Sequence, residues 1–211
     1  MSTILALITA LVLIVVGMVR SRKTREPAAE VLIKRLLHPG HAWLRTTSDG
    51  YAVVGVDDFT QSVVGKIDAV SLPRLLARVK QGEAAWRLKH GDRTLPMISP
   101  VSGWVIEKND AVLRDPSLVN ASPFGEGWLF KVKPYKLTAE IRNLLSGREA
   151  RRWQDAVRGH LQSFFSGTPA LFMQDGGVLI QGLADRCSEE EWARLASEFF
   201  LTPQKNGSRD A

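Results

Sequence analysis

The sequence predicts a mainly β domain with added α-helices, preceded by one transmembrane helix. Three observations lead to this fold class. An uncharged apolar stretch fills residues 4–19, short apolar runs alternate with Gly and Pro turn signals over residues 42–108, and helical apolar spacing begins after residue 135. The chain of 211 residues has room for one sizeable core and a small appendage, but not for two large domains.

The N-terminal apolar stretch predicts an uncleaved membrane anchor at residues 1–25, followed by a linker at residues 26–40. Thr9 is its one polar break, and its length reaches the minimum of roughly 17 residues for a spanning helix. Four basic residues follow within residues 20–25. A signal peptide would carry positive charge before its apolar core. The positive-inside tendency therefore predicts an inner-membrane protein facing the cytoplasm; a cleaved signal peptide and a buried core helix are the alternatives.

Composition narrows the function classes. The formal net charge of +6 is compatible with nucleic-acid binding, but part of the excess directly follows the apolar stretch, which favours a membrane surface. A nucleic-acid binder is supported only by this charge and by the arginines of residues 148–158, so no nucleic-acid partner is predicted. Cys187 is the single cysteine, which excludes an intramolecular disulfide and a multi-cysteine metal site.

The middle of the chain predicts strands and tight turns. "AWLRTT" and "YAVVGV" flank Ser48-Asp49-Gly50, a hairpin turn in which glycine can take a positive φ. "DDFTQSVVG" predicts a short helix with Asp57 as its N-cap, and "KIDAVSL" predicts a strand. "GEAAWRLKH" and "RTLPMISPV" flank Gly91-Asp92 as a second hairpin, and "GWVIEKN" follows. Short strands with regular turns are typical of a flattened β-barrel or sandwich.

Five blocks of this region carry a family resemblance. They are "HAWLR", "VGVDDFTQSVVG", "KQGEA", "SPVSGWV" and "NASPFGEGWLFKVKP", in this order. Residues 41–134 resemble the glycine cleavage system H protein, a lipoyl-bearing carrier. The resemblance implies a lipoyl-domain-like barrel-sandwich hybrid, in which lipoate on a hairpin lysine accepts an aminomethyl group and two electrons.

The expected carrier lysine is replaced in this chain. In the family it lies seven residues before the first serine of the Ser-Pro-Val-Ser-Gly turn, and that count from Ser99 reaches Asp92. A carboxylate cannot form the amide to lipoate, because attachment needs an amine nucleophile. Lys89 could be a shifted carrier only through a register slip of the half-buried strand, which would turn its side chains to the wrong face. No cofactor is therefore predicted.

No catalytic or metal-binding group is predicted either, so the chain is not expected to be an enzyme. His38 and His41 lie close in sequence, but no cysteine or carboxylate joins them at a metal-ligand spacing. His41 corresponds to a fold position of the family. Asp57 and Asp58 are adjacent at a helix start, where side chains point apart, so an N-cap is the better interpretation than a catalytic pair.

Residues 135–201 predict a helical and hairpin extension. "LTAEIRNLLSG" and "REARRWQDAVRGHLQSFF" predict helices, and their opening part resembles the C-terminal helices of the family. "ALFMQDGGVLIQGLA" predicts a hairpin around residues 175–177. "SEEEWARLASEFF" predicts a helix that opens with a capping box of Ser188 and Glu191. Residues 202–211 predict a disordered polar tail.

The last predicted helix carries three large aromatic side chains on its apolar side: Trp192, Phe199 and Phe200. We predict these as partner-binding residues, because so small a unit has little core of its own and aromatic anchors often dominate interfaces. The alternative is that the extension packs on itself or on the barrel. With the docking interpretation, the barrel folds without residues beyond 166.

Together these patterns predict a non-catalytic accessory or scaffold subunit of an inner-membrane protein complex. The predicted partners are the membrane, through a single span, and proteins of the complex, with electron-transfer assemblies as the first to search. No small-molecule substrate is expected. The alternative is a working lipoyl carrier of the glycine cleavage system, modified at the shifted lysine Lys89.

Overall fold

The computed structural model describes residues 35–165 and 182–201. The predicted anchor at residues 1–25, the predicted hairpin around residues 175–177 and the predicted tail from residue 202 lie outside these ranges. No helix within the two described ranges has the length and apolar character that crossing a membrane requires.

The described residues form short strands and helices in chain order. The strands are β1 Leu36–His38, β2 Ala42–Thr46, β3 Ala52–Val56, β4 Ala69–Ser71, β5 Arg78–Val79, β6 Ala84–His90, β7 Arg93–Ile98, β8 Gly103–Lys108 and β9 Phe130–Pro134. The α-helices are α1 Asp58–Val64, α2 Asp110–Arg114, α3 Ser117–Ala121, α4 Leu137–Glu140, α5 Gly147–Phe164 and α6 Glu189–Phe199. Short 3-10 helices cover Ile141–Asn143 and Leu183–Asp185.

The strands form two antiparallel sheets around one core. The larger has the order β1-β2-β3-β9-β8-β5, and the smaller has the order β4-β6-β7. Leu44 and Val54 of the larger sheet and Leu88 and Leu95 of the smaller belong to the same buried cluster. Alternate residues of each strand face this cluster, as expected when one sheet face is buried. The predicted mainly β fold with added helices is confirmed.

The domain begins earlier than the sequence predicts. A linker is expected at residues 26–40, but β1 lies within them and pairs with β2, with Leu36 opposite Leu44. A tight turn joins the two strands, in which the His41 amide donates to the His38 carbonyl at 2.9 Å and His41 takes a φ of 61°. The strand has only three residues and is followed by Pro-Gly, so its sequence signal is that of a loop.

The N-cap of α1 also fixes the buried His41. Asp57 Oδ1 accepts from the Thr60 amide at 2.9 Å, and Asp57 Oδ2 lies 2.7 Å from His41 Nδ1. The His41 ring stacks on Phe59 with centroids 4.1 Å apart. Both partners of the His41–Asp57 pair are fully buried, where an unpaired charge would be costly. The predicted N-cap is confirmed, and His41 has a structural role.

Helix α5 covers one end of the larger sheet. Its Ala150 and Trp153 pack with Trp43 and Val53 on the sheet face that points away from the main core. The β1–β3 end of that face is therefore buried under the helix.

Helix α6 extends the main core. Its capping box, with Ser188 and Glu191 bonding reciprocally, is confirmed. However, Trp192, Phe199 and Phe200 are only 6%, 5% and 0% exposed. The domain itself therefore covers them, and that they bind a partner stays a prediction that this burial does not favour. The alternative, packing on the barrel, is the arrangement that forms.

Candidate functional site

The β6–β7 hairpin presents a two-residue tip to solvent. His90 and Arg93 are the last paired residues, so Gly91 and Asp92 form the turn, as predicted. Gly91 takes a φ of 54°, which glycine adopts without steric cost. Its amide donates to Asp68 Oδ2 at 2.8 Å, and both turn residues are exposed. The side chain at the tip is therefore a solvated carboxylate.

Two exposed lysines lie near this tip. Lys89 is on β6, opposite Thr94 of β7 and Ala69 of β4, so it lies within the sheet and not at the turn. Lys66 lies on the adjoining loop, where its carbonyl accepts from His90 Nδ1 at 2.5 Å and its side chain is 80% exposed. Sequence reasoning missed Lys66, because it precedes the tip by more than twenty residues and only the fold brings them together.

One side of the hairpin is held by the C-terminal extension through His90. The His90 Nε2 atom lies 2.5 Å from Asp185 Oδ1, beside the second 3-10 helix. Burial lowers the pKa of His90, but the hydrogen bonds to Asp185 and to the Lys66 carbonyl outweigh it, so the pKa is raised overall. The carboxylate and the carbonyl both favour the protonated ring, which can donate from both nitrogens.

The opposite side of the hairpin is held through Arg93. Its guanidinium donates to the carbonyl of Ala184, within the second 3-10 helix, and to that of Cys187, two residues after the helix. It also pairs with Glu189 at 3.3 Å and lies over the Trp192 ring at 5.4 Å. We call this set of contacts from His90 and Arg93 to residues 184–192 the hairpin clamp. Both residues that flank the tip are thus tied to the C-terminal extension.

Cys187 and His160 are the remaining candidate groups; Cys187 belongs to the buried core, and His160 lies between two helices. Burial, the largest effect, raises the pKa of the Cys187 thiol to about 11, which leaves it protonated and a weak nucleophile at neutral pH. His160 pairs with Glu198 at 2.7 Å and joins α5 to α6. Within residues 35–165 and 182–201, no group of three or more His, Cys, Asp or Glu side chains is arranged to hold a metal ion.

The similarity of this chain to a known family extends over the barrel and the first part of α5. The family model Glycine cleavage H-protein matches residues 35–156. The probable glycine cleavage system H protein 1 of Saccharolobus solfataricus is 36% identical over 116 residues, which cover 55% of this chain and 85% of that protein. The glycine cleavage system H protein of Streptomyces coelicolor is 39% identical over 109 residues, covering 52% of this chain and 85% of that protein.

A solved structure is also similar. It is the crystal structure of a glycine cleavage system H protein from Mycobacterium marinum, with 28% sequence identity and a TM-score of 0.49. The match covers 55% of this chain and 91% of that one. The family match ends at residue 156, so the residues 184–192 that hold the hairpin lie beyond it.

Proposed function

Because this chain belongs to the glycine cleavage H-protein family, we propose that it has kept the H-protein fold without the carrier chemistry. It acts as a non-catalytic, membrane-anchored accessory or scaffold subunit of a protein complex. The observation that carries this proposal is Asp92 at the exposed tip of the β6–β7 hairpin. A carboxylate does not fit lipoate, since attachment forms an amide with an amine.

The hairpin clamp gives independent support to this proposal. A carrier arm has to be reached by the enzyme that attaches lipoate and by the enzymes that load and unload it. In this chain, residues beyond the family match lie directly against both residues that flank the tip. An approaching enzyme meets this added surface beside the hairpin, whereas a scaffold needs no such access.

The membrane part of the proposal is supported by the sequence. Residues 4–19 are uncharged and apolar, and four basic side chains follow them within residues 20–25. This pattern is typical of an anchor whose following domain lies on the cytoplasmic side of an inner membrane. A subunit of a membrane complex requires this location, whereas a shuttle between soluble enzymes gains nothing from it.

The alternative function is a working lipoyl carrier with a shifted attachment site. Its support is that two exposed amines, on Lys66 and Lys89, lie near the tip. Lys89 lies three residues before Asp92, in the paired part of β6. A ligase that recognises a lysine at a hairpin turn would have to open this pairing.

Intact-mass measurement and peptide mapping distinguish the two functions. We expect full-length protein, purified from cells that lipoylate other proteins, to carry no octanoyl or lipoyl group. Lys66→Arg and Lys89→Arg should leave its mass otherwise unchanged and its co-purifying proteins the same. A lipoyl group on either lysine would overturn the scaffold proposal and establish the carrier.

A gain-of-function pair separates the tip residue from the clamp. Asp92→Lys restores an amine at the turn, and Asp92→Lys with Arg93→Ala also loosens the clamp. We expect ligase-dependent lipoylation of the double variant to exceed that of the single one, because the clamp hinders access. Equal lipoylation of both would show that the clamp does not protect the tip.

A further inference from the structure

The outer face of the larger sheet carries a second surface, at the end opposite to α5. There Arg78 of β5, Trp104 of β8 and Lys133 of β9 are direct cross-strand neighbours. Trp104 is 47% exposed, whereas the next residue, Val105, is fully buried and faces the main core. Alternation along the strand therefore directs these three side chains away from the core.

A turn beside β8 carries two exposed leucines. The Ala77 amide donates to the Arg74 carbonyl at 3.0 Å, so Leu75 and Leu76 occupy the centre of the turn. Leu76 takes a φ of 61°, which is unfavourable for a residue with a Cβ atom. Its side chain is 74% exposed and that of Leu75 is 55% exposed, so neither is buried by the domain in return. A hydrogen bond from the Leu76 amide to the Val105 carbonyl holds the turn against the sheet.

The same surface is basic and aromatic. Arg78 donates to the Tyr135 hydroxyl at 3.1 Å, and its guanidinium lies 5.2 Å from the centre of the Tyr135 ring. Among the described residues, no carboxylate forms an ion pair with Arg78 or Lys133. We call this surface the Trp104 face; its members are Leu75, Leu76, Arg78, Trp104, Lys133 and Tyr135.

We propose that the Trp104 face binds the headgroup region of an anionic lipid bilayer. Trp and Tyr side chains favour this region because the apolar ring contacts the acyl chains while the polar N–H or O–H group bonds to headgroups and water. The two leucines of the turn reach the acyl boundary, and their burial there removes apolar surface from water. Arg78 and Lys133 neutralise anionic headgroups, which supply the carboxylates or phosphates that the domain itself does not.

The length of the preceding chain makes this contact feasible. This step rests on the proposed anchor, which would hold residues 4–19 in the bilayer. Even fully extended, residues 20–34 span at most about 54 Å, so the domain stays within that distance of the bilayer. Tethering raises the effective concentration of the bilayer at the domain, so a surface of weak intrinsic affinity remains bound.

Full-length protein in lipid vesicles provides the test. Vesicles of phosphatidylcholine alone and of phosphatidylcholine with phosphatidylglycerol are compared, each with and without a lipid that carries a fluorescence quencher near its headgroup. Trp104 is the most exposed of the six tryptophans, and Trp43, Trp86 and Trp192 are buried. We expect quenching in the anionic vesicles, its loss in Trp104→Phe, and little quenching in the neutral vesicles.

Two matched variants identify the groups responsible. Arg78→Gln with Lys133→Gln should reduce quenching to the level of neutral vesicles, whereas Arg87→Gln with Lys89→Gln removes two exposed charges from the other sheet and should not. Leu76→Gly should weaken quenching without unfolding the domain, because glycine tolerates the positive φ. Thermal unfolding of each variant checks the fold.

The outcomes separate this proposal from the membrane anchor. Flotation with both vesicle types and anionic-only quenching support both ideas. Flotation with anionic vesicles alone, lost on removal of Arg78 and Lys133, supports the Trp104 face but refutes the anchor. Flotation without quenching refutes lipid binding by the Trp104 face and is compatible with the anchor. Absence of flotation refutes both proposals. If Trp104 is shielded by a co-purified protein and not by lipid, the face is a protein interface and the proposal fails.

Discussion

At the scale of single residues, two neighbouring buried histidines have different partners. His41 faces Asp57, whereas His38 Nδ1 accepts the Gly40 amide at 3.0 Å and so has to be unprotonated at that atom. Burial, with a smaller effect from His41, lowers the pKa of His38 to about 4. The folded domain therefore holds this ring neutral under conditions where the unfolded chain would protonate it.

This predicts an acid-sensitive contribution to stability from His38. Between its unfolded pKa of about 6.5 and its folded pKa of about 4, the unfolded chain binds the extra proton, so stability falls as pH falls through this window. The fully developed loss is on the order of 3 kcal/mol. His38→Asn keeps a neutral acceptor for the Gly40 amide. We expect chemical denaturation at pH 7 and pH 4 to show a smaller acid loss in this variant; an equal loss would refute the assignment.

The adjacent aspartates at the start of α1 provide a matched pair. Asp57→Ala removes the helix cap and leaves His41 without its buried partner, so we expect a loss of about 3 kcal/mol in the free energy of unfolding. Asp58 instead pairs with Arg158 at a partly exposed site, where Asp58→Ala should cost less than about 1 kcal/mol. Urea denaturation measures the loss in the free energy of unfolding for each variant. Similar losses would contradict the expectation that the buried pair contributes more than the exposed pair.

At the scale of elements, the hairpin clamp joins a hairpin inside the family match to residues beyond it. The carbonyls of Ala184, in the 3-10 helix, and of Cys187, just after it, accept from the Arg93 guanidinium, because carbonyl groups at a helix end lack partners within the helix. Asp185, in the same turn, faces His90. This short helix and the two residues after it therefore hold both flanks of the tip with backbone and carboxylate acceptors.

The clamp should weaken as pH rises. The pKa of His90 is raised in the folded domain, so its contribution is fully present below the ordinary histidine value and is lost as pH rises through the folded pKa. The groups facing the ring are Asp185, the Lys66 carbonyl and, at longer range, Asp68. NMR titration should give a His90 pKa above about 6.5, and Asp185→Asn should lower it. An unchanged pKa in that variant would show that Asp185 does not hold the ring.

At the scale of the whole molecule, the hydrophobic core does not stop where the family match stops. The match ends at residue 156, yet Leu161, Leu195 and Phe200 belong to the same buried cluster as the barrel residues. The Phe200 and Phe59 rings have centroids 6.0 Å apart, so α6 directly covers α1. The described residues 157–165 and 183–200 therefore add side chains to the core of the barrel.

Two deletions outside the barrel, one at each end of the chain, test whether the extension contributes to stability. Truncation after Ser166 exposes the surface that Trp192, Phe199 and Phe200 cover, each worth roughly 1.5–3 kcal/mol when buried. We expect a clearly lower unfolding temperature, or no cooperative unfolding, because the total stability of a domain is about 5–15 kcal/mol. Deletion of residues 1–33, which precede the first described strand, should leave the unfolding temperature nearly unchanged. Equal unfolding temperatures of the two deletion variants would show that the extension does not contribute to the stability of the barrel.

The sequence by itself determined strands β2, β3, β4, β6, β7 and β8 with their turns, Asp92 at the hairpin tip and the caps at Asp57 and Ser188. These features depend on neighbours a few residues apart, so hydrophobic alternation, turn chemistry and capping preferences reveal them. Only the tertiary structure decided that Lys66 lies beside the tip, that residues 184–192 hold the hairpin, and that the aromatic side of α6 is buried. An apolar stripe on a helix shows that this face must be buried, but not whether the rest of the domain or another protein buries it. Which surface covers it depends on contacts between residues more than one hundred positions apart, such as Phe59 with Phe200, and no local pattern encodes such a contact.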